Sequence, residues 1–191
     1  MIHEDEKLLS VCTREDLRNW LHENCNIEKS CWVIVSIKPN PGILLYLDVV
    51  EEALCYGWID GIKKKISDKK LAQRLSPRSK KSSWTELNKE RVRRLEKLGL
   101  MTAEGRKVLP EMNYNSFHID TAIEQRLKEE EVVYKNYCNF PELYKRIRID
   151  SIQSHRDNPE LFYKKLDKFI EYTKSNKMYG RWNDNERLLH Y

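Results

Sequence analysis

The residues best suited to chemistry fall in one stretch of 30 residues, between Cys55 and Trp84. A thiol such as Cys55 acts as a nucleophile or redox group when a cation or a helix N-terminus lowers its pKa. The carboxylate of Asp60 can act as a general base or pair with the guanidinium of Arg78. The indoles of Trp58 and Trp84 could flank a cleft in which bases or sugars stack. Together these five side chains predict a small-molecule pocket.

Each of these residues also has a purely structural interpretation. Cys55 falls near the end of a predicted helix, where the helix dipole disfavours a thiolate, so it could be a small buried hydrophobe. Asp60 precedes Gly61 and could form a structural ion pair or cap a turn. Both tryptophans are compatible with a hydrophobic core. The sequence leaves the two interpretations open.

A second group of residues is strongly basic. Residues 63–94 hold thirteen Lys or Arg and three acidic residues, a net charge of +10, whereas the rest of the chain carries −5. Such a block attracts anionic partners: nucleic acid, anionic lipid headgroups or phosphorylated small molecules. It could also be an ordinary solvated face. The residues expected to contact an anion are Lys63, Lys64, Lys65, Arg74, Arg78, Lys80, Lys81 and Ser82.

The loop within this block is expected to lie beside a helix N-terminus. Ser83 and Glu86 have the spacing of a capping box and predict a helix that runs to about Leu98. Unsatisfied backbone N–H groups at a helix N-terminus bind phosphate, and Arg78 and Ser82 would add to such a site. Alternatively, Arg78 ties the loop to the preceding hairpin.

Local patterns place the elements of the N-terminal part. Thr13 and Asp16 form a capping-box pattern that predicts a helix to about Asn24. The β-branched and aromatic run over residues 31–37 predicts a buried strand. A second capping-box pattern begins at Asp48 and predicts a helix that ends before Gly57, a residue suited to a left-handed C-cap.

A β-hairpin is expected to follow Gly57, with strands over residues 58–66 and 71–75. Strict alternation would put Ile62 and Ile66 on the same face as Leu71 and Leu75. The lysines between the isoleucines would then lie together on one exposed face of the hairpin. Thr102 should open a further short helix that stops at Pro110.

The C-terminal part is expected to be helical. Residues 111–118 show no hydrophobic periodicity, whereas helix starts are predicted at Asp120, Pro141 and Pro159. The chain is therefore predicted to be α+β. Residues 1–112 would form a small antiparallel sheet with helices, and residues 113–191 a helical region packed on it.

Three internal segments resemble the YdeI/OmpD-associated family, also called the bacteriocin-protection family. They read EEALCYGWIDGIKKKI, AQRLSPRSKKSSWTELNKERV and LEKLGLMTAEG, and the segments FPELYKRIRIDSI and NKMYG resemble the tail of one branch. The resemblance covers most of residues 10–180. It implies a cytoplasmic protein with a role in stress or in resistance to bacteriocins or cationic peptides.

Several classes of protein are not expected. No apolar run of 18 residues predicts a transmembrane helix, and the acidic start MIHEDEKLLS does not read as a signal peptide, so the expected location is the cytoplasm. The five irregularly spaced cysteines predict neither disulfides nor a metal site, since no CxxC or HExxH occurs. No phosphate-loop, GxGxxG, GxSxG or paired-carboxylate signature occurs, so a catalytic role would rest on Cys55 and Asp60 alone. No cofactor is expected.

The sequence is compatible with three functions. The first is a non-enzymatic protein that binds a polyanion, above all nucleic acid, through the basic hairpin and loop. The second is an enzyme or small-molecule sensor with a pocket between the GWIDG strand and the PRSKKSSW loop. The third is an interaction module that binds a protein partner through its helical C-terminal region.

Overall fold

The computed structural model describes residues 7–67, 70–79 and 81–191. Over these residues the chain forms eight helices and a mixed sheet of five strands, which confirms the predicted α+β class with a helical C-terminus. A short 3₁₀ turn covers Tyr114–Ser116. The strands are β1 (Leu8–Leu9), β2 (Cys31–Ser36), β3 (Leu44–Leu45), β4 (Trp58–Ser67) and β5 (Lys70–Pro77). The helices are α1 (Arg14–Asn24), α2 (Tyr46–Cys55), α3 (Glu86–Lys97), α4 (Ala103–Arg106), α5 (Thr121–Lys128), α6 (Glu131–Asn139), α7 (Glu142–Gln153) and α8 (Pro159–Lys174).

The chain divides into two compact units. The first takes in the described residues of Met1–Ser83 together with Arg91–Pro110, and the second consists of Trp84–Glu90 and Glu111–Tyr191. The sequence placed the division after residue 112 and left the start of α3 in the N-terminal part. In the structure that start, Trp84–Glu90, is grouped with the C-terminal helices.

The sheet lies in the first unit. Its strand order is β1-β2-β5-β4, and β3 also pairs with β2. The β2–β5 and β4–β5 pairs are antiparallel, whereas the two-residue strands β1 and β3 pair with β2 in parallel. The sheet was expected to be antiparallel, and the two short parallel pairings make it a mixed sheet. Because β4 has no partner on its outer side among the described strands, it is an edge strand.

Helices of the first unit begin and end through local contacts. The predicted capping box of α1 is confirmed, since the Thr13 side chain accepts a hydrogen bond from the backbone N–H of Asp16. Gly57 has the expected left-handed backbone, with φ of 74°. The capping box predicted at Asp48 is wrong, because α2 begins at Tyr46 without a side-chain cap. Asp48 instead lies in the first turn of α2 and pairs with Arg14.

The second unit has its own hydrophobic core. Buried apolar residues from α5, α6, α7 and α8 form this core, and Tyr144 and Phe169 are fully buried within it. The predicted starts of two helices are confirmed, since the side chain of Asp120 caps α5 and that of Asn158 caps α8. Among the residues that the structure describes, no helix is both long and apolar enough to cross a bilayer.

Candidate functional site

A β-bulge decides which way the lysines of the hairpin point. Asp60 is paired with Leu75 and Lys63 with Gln73, so three steps along β4 match two along β5. This extra residue reverses the alternation of side chains beyond Asp60. Lys65, opposite Leu71, thereby takes the place that strict alternation assigned to an isoleucine.

The prediction that Ile62 and Ile66 share a face with Leu71 and Leu75 is therefore wrong, because Lys63 and Lys65 take that face. The exposed fractions of Ile62 and Ile66 are 59% and 44%. The cations are also distributed over both faces of the sheet, not over one. Lys63 and Lys65 share a face, whereas Lys64 shares the opposite face with Ala72 and hence with its alternate neighbours on β5, Lys70 and Arg74. We call the hairpin formed by β4 and β5 the lysine hairpin.

Two of these lysines form cation–π contacts with aromatic rings. The Nζ atom of Lys63 lies 3.4 Å from the centre of the Tyr46 ring, and that of Lys64 lies 5.0 Å from the centre of the Trp32 ring. The Tyr46 hydroxyl donates a hydrogen bond of 2.5 Å to Asp60. Tyr46 is thus a site residue that sequence reasoning missed. The residues around Tyr46 carry no local signal of this role, because its partners lie 14 or more residues away along the chain.

The outer lysines of the hairpin and its loop are accessible. Lys63, Lys65, Lys70 and Lys81 are exposed, and Arg74 and Lys64 are partly buried. Lys80, which the sequence also assigned to the anion site, lies outside the described residues. These exposed cations are spread over β4, β5 and the loop that follows, and the ten residues of β4 alone span about 33 Å at the rise of an extended strand.

Arg78 does not belong to this exposed set. Only 6% of it is accessible, and its Nη1 atom donates to the carbonyl oxygen of Ser83 at 2.9 Å. Its backbone N–H bonds the carbonyl of Gly57, which joins the loop to the base of the hairpin. Burial lowers the pKa of Arg78, with the charge of Asp60 acting in the opposite direction. The alternative interpretation, in which Arg78 ties the loop to the hairpin, fits this geometry.

The predicted anion site at a helix N-terminus is also corrected. Helix α3 begins at Glu86, and Thr85, not Ser83, caps it by accepting a hydrogen bond from the N–H of Asn88. The N–H of Glu86 is already bound to the carboxylate of Asp150 at 3.0 Å. Burial raises the pKa of this aspartate. Ser82 forms hydrogen bonds with Ser79 within its own loop. The helix start that Ser82 was expected to flank binds the carboxylate of Asp150 and not an external anion.

The helical half of the basic block is largely neutralised. Arg94 pairs with the buried Glu51 at 2.9 Å, and Lys89 pairs with the buried Glu86 at 2.8 Å. Arg91 is itself buried, with 8% of its surface exposed. The net charge of +10 therefore overstates the accessible positive surface, which is concentrated on the lysine hairpin.

The predicted small-molecule pocket is not supported by its central residues. Cys55 is fully buried at the end of α2, and burial raises the pKa of its thiol to about 12. Trp58 is 1% exposed, donates its indole N–H to the carbonyl of Cys25 and packs edge-on against Trp20. Both residues belong to the core. The pocket would need a reactive thiolate and an accessible indole here.

The other residues predicted to line the pocket, Asp60 and Trp84, do not support it either. Asp60 is partly buried and accepts the Tyr46 hydroxyl, so it acts as a structural partner. Trp84 is half-buried and belongs to the second unit. Within the described residues, no group of three or more His, Cys, Asp or Glu side chains could hold a metal ion.

Comparison with known proteins gives a family but no activity. No curated protein and no solved structure matches the chain. The resemblance to the YdeI/OmpD-associated family is wrong, because the family that matches is a different one. The role in stress or bacteriocin resistance rested on that resemblance and loses its basis. The match covers residues 9–108, which is more than half of the chain. The chain therefore belongs to the family described as Domain of unknown function (DUF8412).

Proposed function

We propose that this protein is a non-enzymatic, cytoplasmic nucleic-acid-binding protein that holds the phosphate backbone with its lysine hairpin. The observation that carries the proposal is a set of exposed cations on this hairpin: Lys63 and Lys65 lie on one face of the edge strand β4, and Lys70 lies on the other face of the sheet, at the start of β5. Among the described hairpin residues the one acid is Asp60, and the Tyr46 hydroxyl binds its carboxylate. The hairpin therefore has a locally positive potential that attracts anions.

An extended polyanion fits this surface better than a small phosphorylated ligand. The cations are spread along a strand of ten residues and over both faces of the sheet, so no single point collects several of them. A compact anion would need a convergent site, and the two candidates for one are Arg78, which is buried, and the start of α3, which binds Asp150. A nucleic-acid backbone can contact several spaced lysines at once.

The proposed binding is independent of base sequence. The aromatic residue in the described part of the lysine hairpin is Trp58, which is buried and cannot stack on a base. Contacts to phosphate fix position and supply affinity but read no sequence. Binding through such contacts falls steeply with salt, because each neutralised phosphate releases counterions.

The test is a salt titration of binding to a labelled duplex and to the matching single strand, measured by fluorescence anisotropy. The test variant replaces three exposed hairpin lysines by glutamine: Lys63, Lys65 and Lys70. The matched control makes the same change of charge at three exposed lysines of the second unit: Lys135, Lys164 and Lys177. Circular dichroism and the melting temperature show whether each variant is folded.

The proposal makes a quantitative prediction. For duplex DNA the slope of log K against log salt changes by about 0.9 for each phosphate that the protein no longer neutralises. If all three lysines bind phosphate, the test variant flattens the slope by about 2–3, and the control leaves it unchanged. Absence of binding by the wild type at about 50 mM salt overturns the proposal. An equal effect of the two triple variants also overturns it, because the attraction would then follow net charge alone.

Lysines on an edge strand also oppose pairing with another strand. If they act only in this way, the hairpin variant aggregates without any change in nucleic-acid binding. Sedimentation velocity on the same samples separates this outcome from the proposed one.

A further inference from the structure

A cavity lies wholly within the second unit, away from the lysine hairpin in sequence. Its volume is about 600 Å³, which is within the usual range of small-molecule sites. Its wall includes three aromatic rings and three charged side chains: Tyr114, Phe117, Tyr137, Glu90, Lys145 and Arg146. Concave sites that combine rings with a few convergent charges commonly bind a ligand of matching chemistry.

On one side of the cavity the charged side chains already form ion pairs with one another. The guanidinium of Arg146 pairs with Glu86 at 3.1 Å and with Glu90 at 2.8 Å, and both carboxylates are buried. Glu90 also accepts the hydroxyl of Tyr191 at 2.7 Å. The Arg146 guanidinium lies 4.5 Å from the centre of the Tyr114 ring. These groups already hold one another in place, so they form a wall and are not available for exchange with a ligand.

Lys145 differs from Arg146 in the partner that neutralises it. Its side chain is 10% exposed, and its ammonium lies 5.2 Å from the centre of the Tyr137 ring. Among the described residues its carboxylate partner is Glu142, whose side chain is 83% exposed. Water solvates so exposed a carboxylate well once it has left Lys145. Replacing Glu142 by another anion at Lys145 therefore requires little free energy. Without Glu142 the buried ammonium would need a new anion.

We propose that this cavity binds a small aromatic molecule carrying one anionic group, which replaces Glu142 at Lys145. The rings of the ligand pack against Phe117, Tyr114 and Tyr137. The pairs between Arg146 and its two glutamates stay intact. This site is independent of the hairpin and of the proposed nucleic-acid binding.

The experiment uses anilinonaphthalene sulfonate as the aromatic anion and N-phenylnaphthylamine as a related neutral probe. Binding of each to the full chain is measured by fluorescence titration, with the stoichiometry checked by calorimetry. Lys145→Gln removes the ammonium, whereas Glu142→Gln removes the competing carboxylate. Glu160→Gln is the control, because Glu160 is an exposed glutamate outside the cavity wall.

The two cavity variants should act in opposite directions. We expect the sulfonate to bind one to one, about tenfold more weakly to Lys145→Gln, since this variant cannot form the hydrogen bond between the ammonium and the anion. Glu142→Gln should bind it more tightly, Glu160→Gln should match the wild type, and the neutral probe should respond to none of the changes.

A probe that merely finds exposed apolar surface gives a different pattern. It binds at several sites, and its affinity is the same in Glu142→Gln and in the wild type. That result, or no binding by the wild type, overturns the proposal. Because Glu142 is exposed, its variant is expected to fold and gives an answer even if Lys145→Gln does not.

Discussion

Replacing Gly105 by alanine should destabilise the first unit, although alanine is the better helix former. Gly105 lies in α4, whose N-cap Thr102 binds the carbonyl oxygen of Cys55 at the end of α2. A Cβ atom at Gly105 would overlap this carbonyl oxygen and would lie 2.9 Å from that of Leu54. Both obstacles are backbone atoms, so no side chain can move aside to make room.

The size of the effect follows from the separation that the methyl group requires. Moving Leu54 O to an ordinary contact distance shifts α4 from the end of α2 by at least half an ångström. That movement lengthens the two bonds to Cys55 O, from Thr102 Oγ1 at 2.5 Å and from Thr102 N at 3.2 Å. Each bond contributes about 1 kcal/mol, and overpacking adds about 1–3 kcal/mol. After about 1 kcal/mol is returned by helix propensity, the expected loss is about 3 kcal/mol.

Urea unfolding, followed by the fluorescence of the buried tryptophans, measures this loss as a lower midpoint. Gly99→Ala is the matched control, since Gly99 has φ of 68° and no atom within 4 Å of a Cβ. Its cost is the backbone strain alone, about 1–2 kcal/mol. A Gly105→Ala protein that is as stable as the wild type, or less destabilised than Gly99→Ala, would contradict a backbone clash at this position.

Two further predictions follow from burial. Cys12 and Cys138 are exposed, whereas the other three cysteines are buried and burial raises the pKa of Cys31 and Cys55 to about 12. A thiol reagent at about pH 8 should therefore label two thiols quickly in the native protein and five after denaturation, and rapid native labelling of Cys55 would contradict this. Burial also raises the pKa of Tyr137 to about 12. The unfolded chain loses this proton near pH 10 but the native chain keeps it, so stability should be full below about pH 10 and fall as the pH rises towards 12. Urea midpoints at about pH 9 and about pH 11 should show this fall, and Tyr137→Phe should reduce it; an equal fall in the variant would assign the loss to other groups.

Local signals identified most of the elements. The caps at Thr13, Asp120 and Asn158 depend on hydrogen bonds to backbone groups two or three residues away, so the sequence alone could place them. Gly57 was recognisable for a similar reason, because few other residues adopt its left-handed backbone. The capping pattern at Asp48 failed because this carboxylate pairs with Arg14, which is 34 residues away.

The charge pattern located the basic surface in the sequence but could not show which face of the sheet each lysine lies on. The density of basic residues pointed to residues 63–94, but only the register against β5 shows the bulge that reverses Lys63 and Lys65. The burial of Arg78 likewise depends on how its loop folds back onto Gly57. A count of charges could not show which cations are already neutralised.

Composition and short-range hydrogen bonds were enough to predict the α+β class, most helix starts and the position of the basic segment. The accessibility of each cation, and the meeting of Glu90, Tyr114 and Lys145 in the wall of one cavity, follow only from the folded chain. These features join residues that lie far apart in the sequence. Burial, ion pairing and cavity shape depend on residues separated by tens of positions, and no local pattern records which of them meet.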